Sequence, residues 1–175
     1  MHGWFDTGLK ERNLKQDTIH WTRLVIFILF HLSCLGVIWV GWSITAVFTA
    51  LLLYFVRMFA ITGFYHRYFS HKTFKTNRFW QFVFAALGNS ALQRGPLWWA
   101  SHHRIHHRYT EQSEDPHSPV RHGLLWSHVG WIFYSNYFKT DYSAIRDFPK
   151  YPALRLLNRF DTVVPIGVFF MRYLA

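Results

Sequence analysis

The chain has 175 residues, of which 51% are hydrophobic and 21% aromatic, and its net charge is +10 with histidine neutral. This length supports one domain rather than two. So high an aromatic content is typical of a membrane or membrane-interface protein, not of an average soluble domain. The basic charge alone would suit nucleic acid, but the sequence has no nucleic-acid-binding motif, and we expect no such partner. The single Cys34 excludes an internal disulfide.

Two apolar segments near the start of the chain predict a membrane-spanning helical hairpin. Residues 24–40 are just long enough to cross a bilayer. Residues 44–65 form the second segment, interrupted by Arg57, which either faces the protein interior or reaches the cytoplasmic boundary. Gly41 is expected at a very tight turn between the two helices. Residues 1–20 are polar and show no signal-peptide cleavage site.

The remainder of the chain predicts shorter helices and the start of a third span. Residues 79–92 are apolar but short, which favours an interfacial or partly buried helix. Residues 110–119 are rich in turn formers and predict a loop. We therefore predict an all-α membrane protein with one domain in three parts: a transmembrane hairpin at about 24–65, cytoplasmic histidine-bearing helices at 66–160 and a truncated third transmembrane helix at 161–175.

The distribution of basic residues predicts the orientation of the hairpin. Four Lys or Arg residues precede the first apolar segment and thirteen lie between Arg67 and Arg159, whereas the link at Gly41 and Trp42 has none. Cytoplasmic segments of membrane proteins are enriched in Lys and Arg. We therefore expect both basic regions on the cytoplasmic side of a bacterial inner membrane or of the endoplasmic reticulum.

Five of the twelve histidines lie in two clusters, each just beyond an apolar stretch. Neutral imidazole is the commonest protein metal ligand. Residues at i, i+3 and i+4 share a helix face, so the second cluster is expected to converge on one point. The first pair is about 140° apart on an ideal α-helix and needs a helix end or two metals to act together. The clusters read His66-Arg-Tyr-Phe-Ser-His71 and His103-Arg-Ile-His106-His107.

The spacing leaves both the metal and the full ligand set open. All-nitrogen sites suit zinc, iron, copper or nickel. His102 lies four residues before His106, so spacing alone does not exclude it as a ligand. The acidic residues of the following loop, Asp115 among them, are expected to accept imidazole N–H groups rather than to bind the metal. Histidines with a purely structural role are the alternative.

The segment from His66 to Trp131 resembles the integral-membrane fatty acyl desaturases, specifically their Δ9 acyl-CoA branch. The matching text is GFYHRYFSHKTFK, WWASHHRIHHRY and EDPHSPVRHGLLWSHVGW. The resemblance implies an oxidoreductase with a histidine-ligated di-iron centre at the cytoplasmic face of a four-span bundle. It would use O2 and two electrons to remove two hydrogens from an acyl chain. The implied partners are a long-chain fatty acyl thioester or lipid-linked acyl chain, the membrane, and an electron donor such as ferredoxin, rubredoxin or cytochrome b5.

The resemblance also implies roles for individual residues. Gln93 and Trp99 match the residues that shape the bend of the substrate tunnel. His102 falls where animal members have Asp, so together with Asp115 it is expected around the ligands rather than among them. No catalytic residue is implied beyond the iron ligands, which are His66, His71, His103, His106 and His107.

The sequence departs from the family at the carrier-contacting positions and at its end. Arg94, Ser101-His102 and Ser135-Asn136 replace the residues that contact the carrier in animal members, so CoA, acyl-carrier protein and a lipid headgroup all remain candidates. The family's third histidine box is absent. We therefore expect this chain alone to be unable to assemble both irons and to be inactive. The alternatives are a histidine-box hydroxylase or ketolase, an inactive fragment and a membrane metal-binding protein.

Overall fold

The structure is a computed structural model that describes the backbone of residues 18–174 and the side chains of residues 18–170. Within this range the chain is helical, and its only extended pairing is an isolated antiparallel bridge between Ile19 and Tyr134. The prediction of an all-α fold is confirmed.

Two long helices occupy the segments that the sequence predicts for the hairpin, and Gly41 lies between them. Gly41 has a φ of 77°, which suits a residue without Cβ, and the first helix ends there. The Ser43 side chain then accepts a hydrogen bond from the Ala46 N–H and caps the second helix. The first arm comprises α1 (Trp21–Ser33), a 3-10 turn (Cys34–Gly36) and α2 (Val37–Val40), and the second comprises α3 (Ile44–Phe59) and a π-helix (Ala60–Ser70).

Both arms have the length and composition of membrane spans. The continuous helices Trp21–Val40 and Ile44–Ser70 are long and apolar enough to cross a bilayer. The first arm buries none of its residues, and Val40 is 88% exposed. In water such exposure would cost about 25 cal/mol for each Å² of apolar surface, whereas a lipid environment removes that cost. The exposed Trp39 and Trp42 flank the turn, where indole side chains suit the membrane interface.

The remaining helices follow the hairpin in the order that the sequence predicts. The partly buried helix expected at 79–92 is α4, which ends before Leu92 because that residue has a φ of 61°. The third apolar segment forms α9. The bounds are α4 (Arg78–Asn89), α5 (Pro96–Arg108), α6 (Pro119–His122), α7 (Leu124–His128), α8 (Pro152–Arg159) and α9 (Val163–Leu174).

The buried core lies where the π-helix at the end of the second arm meets α4, α5 and α8. Its largest fully buried apolar side chains come from the π-helix, from α5, from α8 and from the loop before α8: Tyr65, Phe69, Leu97, Ile145 and Leu154. A core in this position fixes the end of the second span against the helix that carries the second histidine cluster.

Two buried asparagines join α8 to α4 and α5. Asn158 accepts a hydrogen bond from the Trp98 N–H (2.7 Å) and donates one to the Thr140 hydroxyl (3.0 Å). Asn89 donates to the Leu157 carbonyl (3.0 Å) and accepts from the Tyr65 hydroxyl. Buried polar groups are costly unless they are paired, so these bonds define one relative arrangement of the helices.

The Tyr65 ring packs directly against Gly88, and replacing this glycine should destabilise the core. A Cβ at position 88 would lie 1.9 Å from the Tyr65 ring, so Gly88→Ala forces the buried ring to shift. Overpacking of this kind costs about 1–3 kcal/mol. We expect a lower apparent melting temperature in detergent, followed by tryptophan fluorescence. Gly36→Ala is the matched control because nothing lies within 4 Å of its Cβ position; equal melting of the two variants would contradict the prediction.

Candidate metal centre

Four histidines from two elements converge on one point. His66 and His71 come from the π-helix and its end, and His103 and His107 come from α5. One ring nitrogen from each lies within 4.8 Å of all the others. The Nε2 atom of His103 is 2.9 Å from Nε2 of His107 and 3.2 Å from Nε2 of His71. Ring nitrogens that share one small volume are the arrangement that a metal ion requires.

The π-helix explains how the first pair comes together. The N–H of His71 bonds to the carbonyl of His66 (3.1 Å), which is the i→i+5 bond that defines this helix. A residue five positions on therefore lies one turn further along the same face, and the two ring centroids are 4.6 Å apart. The α-helical separation calculated from the sequence does not apply, because the chain leaves α-helical geometry at Ala60. The helix also ends at His71, as the spacing had suggested.

His106 corrects the prediction for the second cluster. Its ring centroid is 6.4 Å from that of His103, and it lies outside the four-histidine group. His106 and His107 lie three and four residues after His103, and their side chains leave the helix about 100° apart, on either side of His103. His107 faces the π-helix, whereas His106 faces the loop that follows α5.

That loop supplies a second polar group around His106. The Asp115 carboxylate lies 2.9 Å from Nδ1 of His106 and accepts the backbone N–H groups of Glu111 and His117, each at 3.2 Å. The His117 ring stacks on His106 at a centroid distance of 4.2 Å. The sequence predicts an imidazole partner for Asp115 but no role for His117. The available signal was its position in the same turn, two residues after Asp115.

Burial sets the charge state of these groups. Desolvation, with a smaller contribution from the neighbouring imidazoles, lowers the pKa of His103 to about 3. Burial also lowers the pKa of His71 and of His117 below the ordinary value. Burial would raise the pKa of Asp115, but the hydrogen bonds from His106 and the backbone outweigh it, and the pKa is lowered. Neutral rings with free lone pairs beside an ionised carboxylate fit a divalent cation.

Trp99 and Gln93 lie between the histidines and the second span. The Trp99 ring stacks on His103 at 4.7 Å, and its indole N–H donates to the side-chain oxygen of Gln93 (3.1 Å). Gln93 lines a cleft together with residues of α3, including Tyr54 and Arg57. Arg57 is half-buried at this cleft.

His102 and Arg94 lie apart from the histidine cluster. His102 is buried, with Nδ1 3.0 Å from the Trp98 carbonyl, and its ring contacts both Trp98 and Trp131. Arg94 bonds to the Asp161 carboxylate (3.1 Å) and to the Phe138 carbonyl (2.9 Å). Burial lowers the pKa of Arg94 to about 10, which leaves it charged at neutral pH. Both side chains are thus held inside the protein.

The sequence is similar to fatty acid desaturases over most of its length. It is 34% identical to an acyl-CoA 5-desaturase of Anemone leveillei over 165 residues, which cover 88% of this chain and 50% of the relative. It is 31% identical to an sn-1 stearoyl-lipid 9-desaturase of Anabaena variabilis, covering 86% and 56%. It is 33% identical to a palmitoyl-monogalactosyldiacylglycerol delta-7 desaturase of Arabidopsis thaliana, covering 88% and 44%.

The chain thus spans about half the length of these relatives. Residues 41–171, which include both histidine clusters and the helices that carry them, match the fatty acid desaturase family. The chain belongs to the fatty acid desaturase family.

Proposed function

We propose that this chain carries the first two histidine boxes of a membrane fatty acyl desaturase that introduces a cis double bond at the Δ9 position of a long-chain acyl substrate, with O2 as co-substrate. The convergence of His66, His71, His103 and His107 on one point carries the proposal. Membership of the desaturase family supports the reaction type, and relatives named 9-desaturases support the position.

The metal would be iron, held at two neighbouring positions. The four convergent histidines would bind one ion, and His106 would contribute to a second, since its ring lies 5.7 Å from that of His107. Iron, when bound, supplies O2 activation and hydrogen removal from an unactivated chain, which no side chain here can perform. Asp115 would hold the Nδ1–H tautomer of His106, which leaves Nε2 free to bind the metal.

The residues beside the histidines would position the acyl chain. Trp99 covers one face of His103, and its hydrogen bond to Gln93 fixes the ring orientation. The cleft that Gln93 lines runs along α3, towards the centre of the proposed span. A chain in this cleft would reach the histidines past Trp99 and be shielded from water by the aromatic ring.

The proposal also covers the acyl carrier, the electron donor and the side of the membrane on which the histidines lie. The relatives are named for acyl-CoA and for lipid-linked substrates, so either carrier fits. Ferredoxin, rubredoxin or cytochrome b5 would supply the electrons. The excess of Lys and Arg in residues 67–159 supports a cytoplasmic location of the histidines.

The reaction is tested by the product of the full-length enzyme. We expect purified enzyme, supplied with stearoyl-CoA or stearoyl-lipid, a reductase, ferredoxin and O2, to yield the monounsaturated chain. Mass spectrometry would show the loss of two hydrogens, and derivatisation of the double bond would locate it at Δ9. The gain of one oxygen would instead identify a hydroxylase, and a double bond elsewhere would contradict the Δ9 assignment.

The metal assignment predicts a specific loss of iron. Nε2 of His103 contacts the Nε2 atoms of two of the other three histidines, so His103→Ala should remove the centre of the ligand set and reduce iron content. Inductively coupled plasma mass spectrometry of the full-length protein measures this. His122→Ala is the control because His122 is exposed and lies outside both histidine groups. Equal iron in the two variants would show that the cluster does not bind it.

Replacing Asp115 should weaken metal binding through His106, by less than the loss of His103 does. Asp115→Asn weakens the acceptor for the His106 Nδ1–H, and loss of such a partner typically lowers metal affinity about 10–100-fold. Titration of apo-protein with Fe²⁺ measures the affinity. Glu114→Gln tests a neighbouring carboxylate, which is exposed and bonds to Ser113 instead. An Asp115→Asn variant with unchanged affinity would assign the carboxylate to loop folding alone.

A further inference from the structure

A basic cleft of about 400 Å³ opens beside the histidine cluster. It lies between the end of the π-helix, α5 and the loop of residues 143–147. Four basic side chains, one carboxylate and one hydroxyl line it: Lys72, Arg104, Arg108, Arg146, Asp147 and Ser143.

The charges of the cleft do not balance. Asp147 pairs with both Arg104 (2.9 Å) and Lys72 (2.7 Å). Arg108 and Arg146 are exposed, and among the described residues no carboxylate lies within ion-pair distance of either. One carboxylate therefore faces four cations. The excess of positive charge attracts an anionic partner.

The cleft adjoins the proposed metal ligands. Lys72 follows His71 directly, and Arg108 follows His107 directly. Both histidines are exposed among the described residues, and there they lie on the same side as the basic side chains. Electron tunnelling slows steeply with distance, and a redox protein bound here would place its cofactor close to the ligands.

The lining is polar, which argues against a lipid as the occupant. Among the described residues Ala144 is the one apolar side chain that lines the cleft, and it is 9% exposed. A lipid headgroup site needs a larger apolar surface next to the charges for the acyl chains. A protein surface that presents several carboxylates fits a row of separated cations better.

We propose that this cleft is the docking site for an acidic electron-transfer protein. The proposal rests on the desaturase function, which needs two electrons from outside the chain, and it names the surface through which the donor delivers them. Arg104 and Asp147 shape the cleft, whereas Arg108 and Arg146 carry the charges available to the partner.

Charge reversal in the full-length enzyme tests the docking site. The variants are Arg146→Glu and the double variant Arg108→Glu/Arg146→Glu. Arg155→Glu is the matched control for Arg146→Glu, because Arg155 is an exposed arginine on α8 outside the cleft and its replacement changes the total charge by the same amount. Biolayer interferometry on enzyme in nanodiscs measures the affinity for a [2Fe–2S] ferredoxin and for the soluble domain of cytochrome b5, at low and high salt. Steady-state assays give KM for the donor and kcat, and iron content is checked throughout.

We expect salt-sensitive binding of a donor to the unsubstituted enzyme and a loss of affinity of about tenfold or more in the cleft variants, since charged patches change association rates by 10–10³. KM for the donor should rise in parallel, with iron content unchanged and a much smaller effect of Arg155→Glu. Equal effects of cleft and control variants, or no salt-sensitive binding of either donor, would overturn the proposal. The proposal would also be overturned by cleft variants that bind the donor normally but whose activity no longer depends on phosphatidylglycerol in the nanodisc. That result would identify a lipid site.

The binding measurement separates this proposal from the proposed function. Donor binding that depends on the cleft, without formation of a desaturated product, would support the docking site and refute the desaturase assignment. Formation of the desaturated product, together with unaltered donor binding in the cleft variants, would support the desaturase assignment and refute the docking site.

Discussion

The change from α-helical to π-helical hydrogen bonding at Ala60 determines the geometry of the whole site. Only i→i+5 bonding brings His66 and His71 onto one face, and the same eleven residues bury Tyr65 and Phe69 in the core. A π-helix is rare because it is intrinsically unfavourable, so its packing partners have to stabilise it. Here α4 and α5 supply that packing, and the absence of a side chain at Gly88 lets the Tyr65 ring fit against α4.

Arg104 connects this helix to α5 and fixes the distance between the two histidine pairs. Its guanidinium donates to the carbonyls of Phe69 (2.7 Å) and Ser70 (2.8 Å), which are at the C-terminal end of the π-helix. Carbonyls there lack helical partners and carry partial negative charge. The same side chain pairs with Asp147, which adds the loop before α8 to the assembly. One arginine thus holds His71 next to His103 from outside the metal site.

The sequence was sufficient to predict the helices but not the winding of the most important one. Apolar length located the hairpin, and a short apolar run located α4. Nothing in the composition of residues 60–70 distinguishes a π-helix from an α-helix, since the difference arises from packing against α4 and α5. The different directions of the His106 and His107 side chains could be predicted from the sequence, because an α-helix has 3.6 residues per turn. The stacking of His117 on His106 depends on the path of a loop, so its position two residues after Asp115 was the one signal for it in the sequence.

Arg94 shows why a residue's charge does not by itself reveal its partner. At the sequence level its position suggested a contact with the acyl carrier. In the structure its guanidinium lies against Asp161, the Phe138 carbonyl and the Trp98 ring. A buried ion pair of this kind is costly to break from one side, because the remaining charge stays desolvated. Moving Arg94 away would withdraw its charge and its hydrogen bond from the buried Asp161 carboxylate. The contacts of Arg94 in the described residues therefore stabilise the fold.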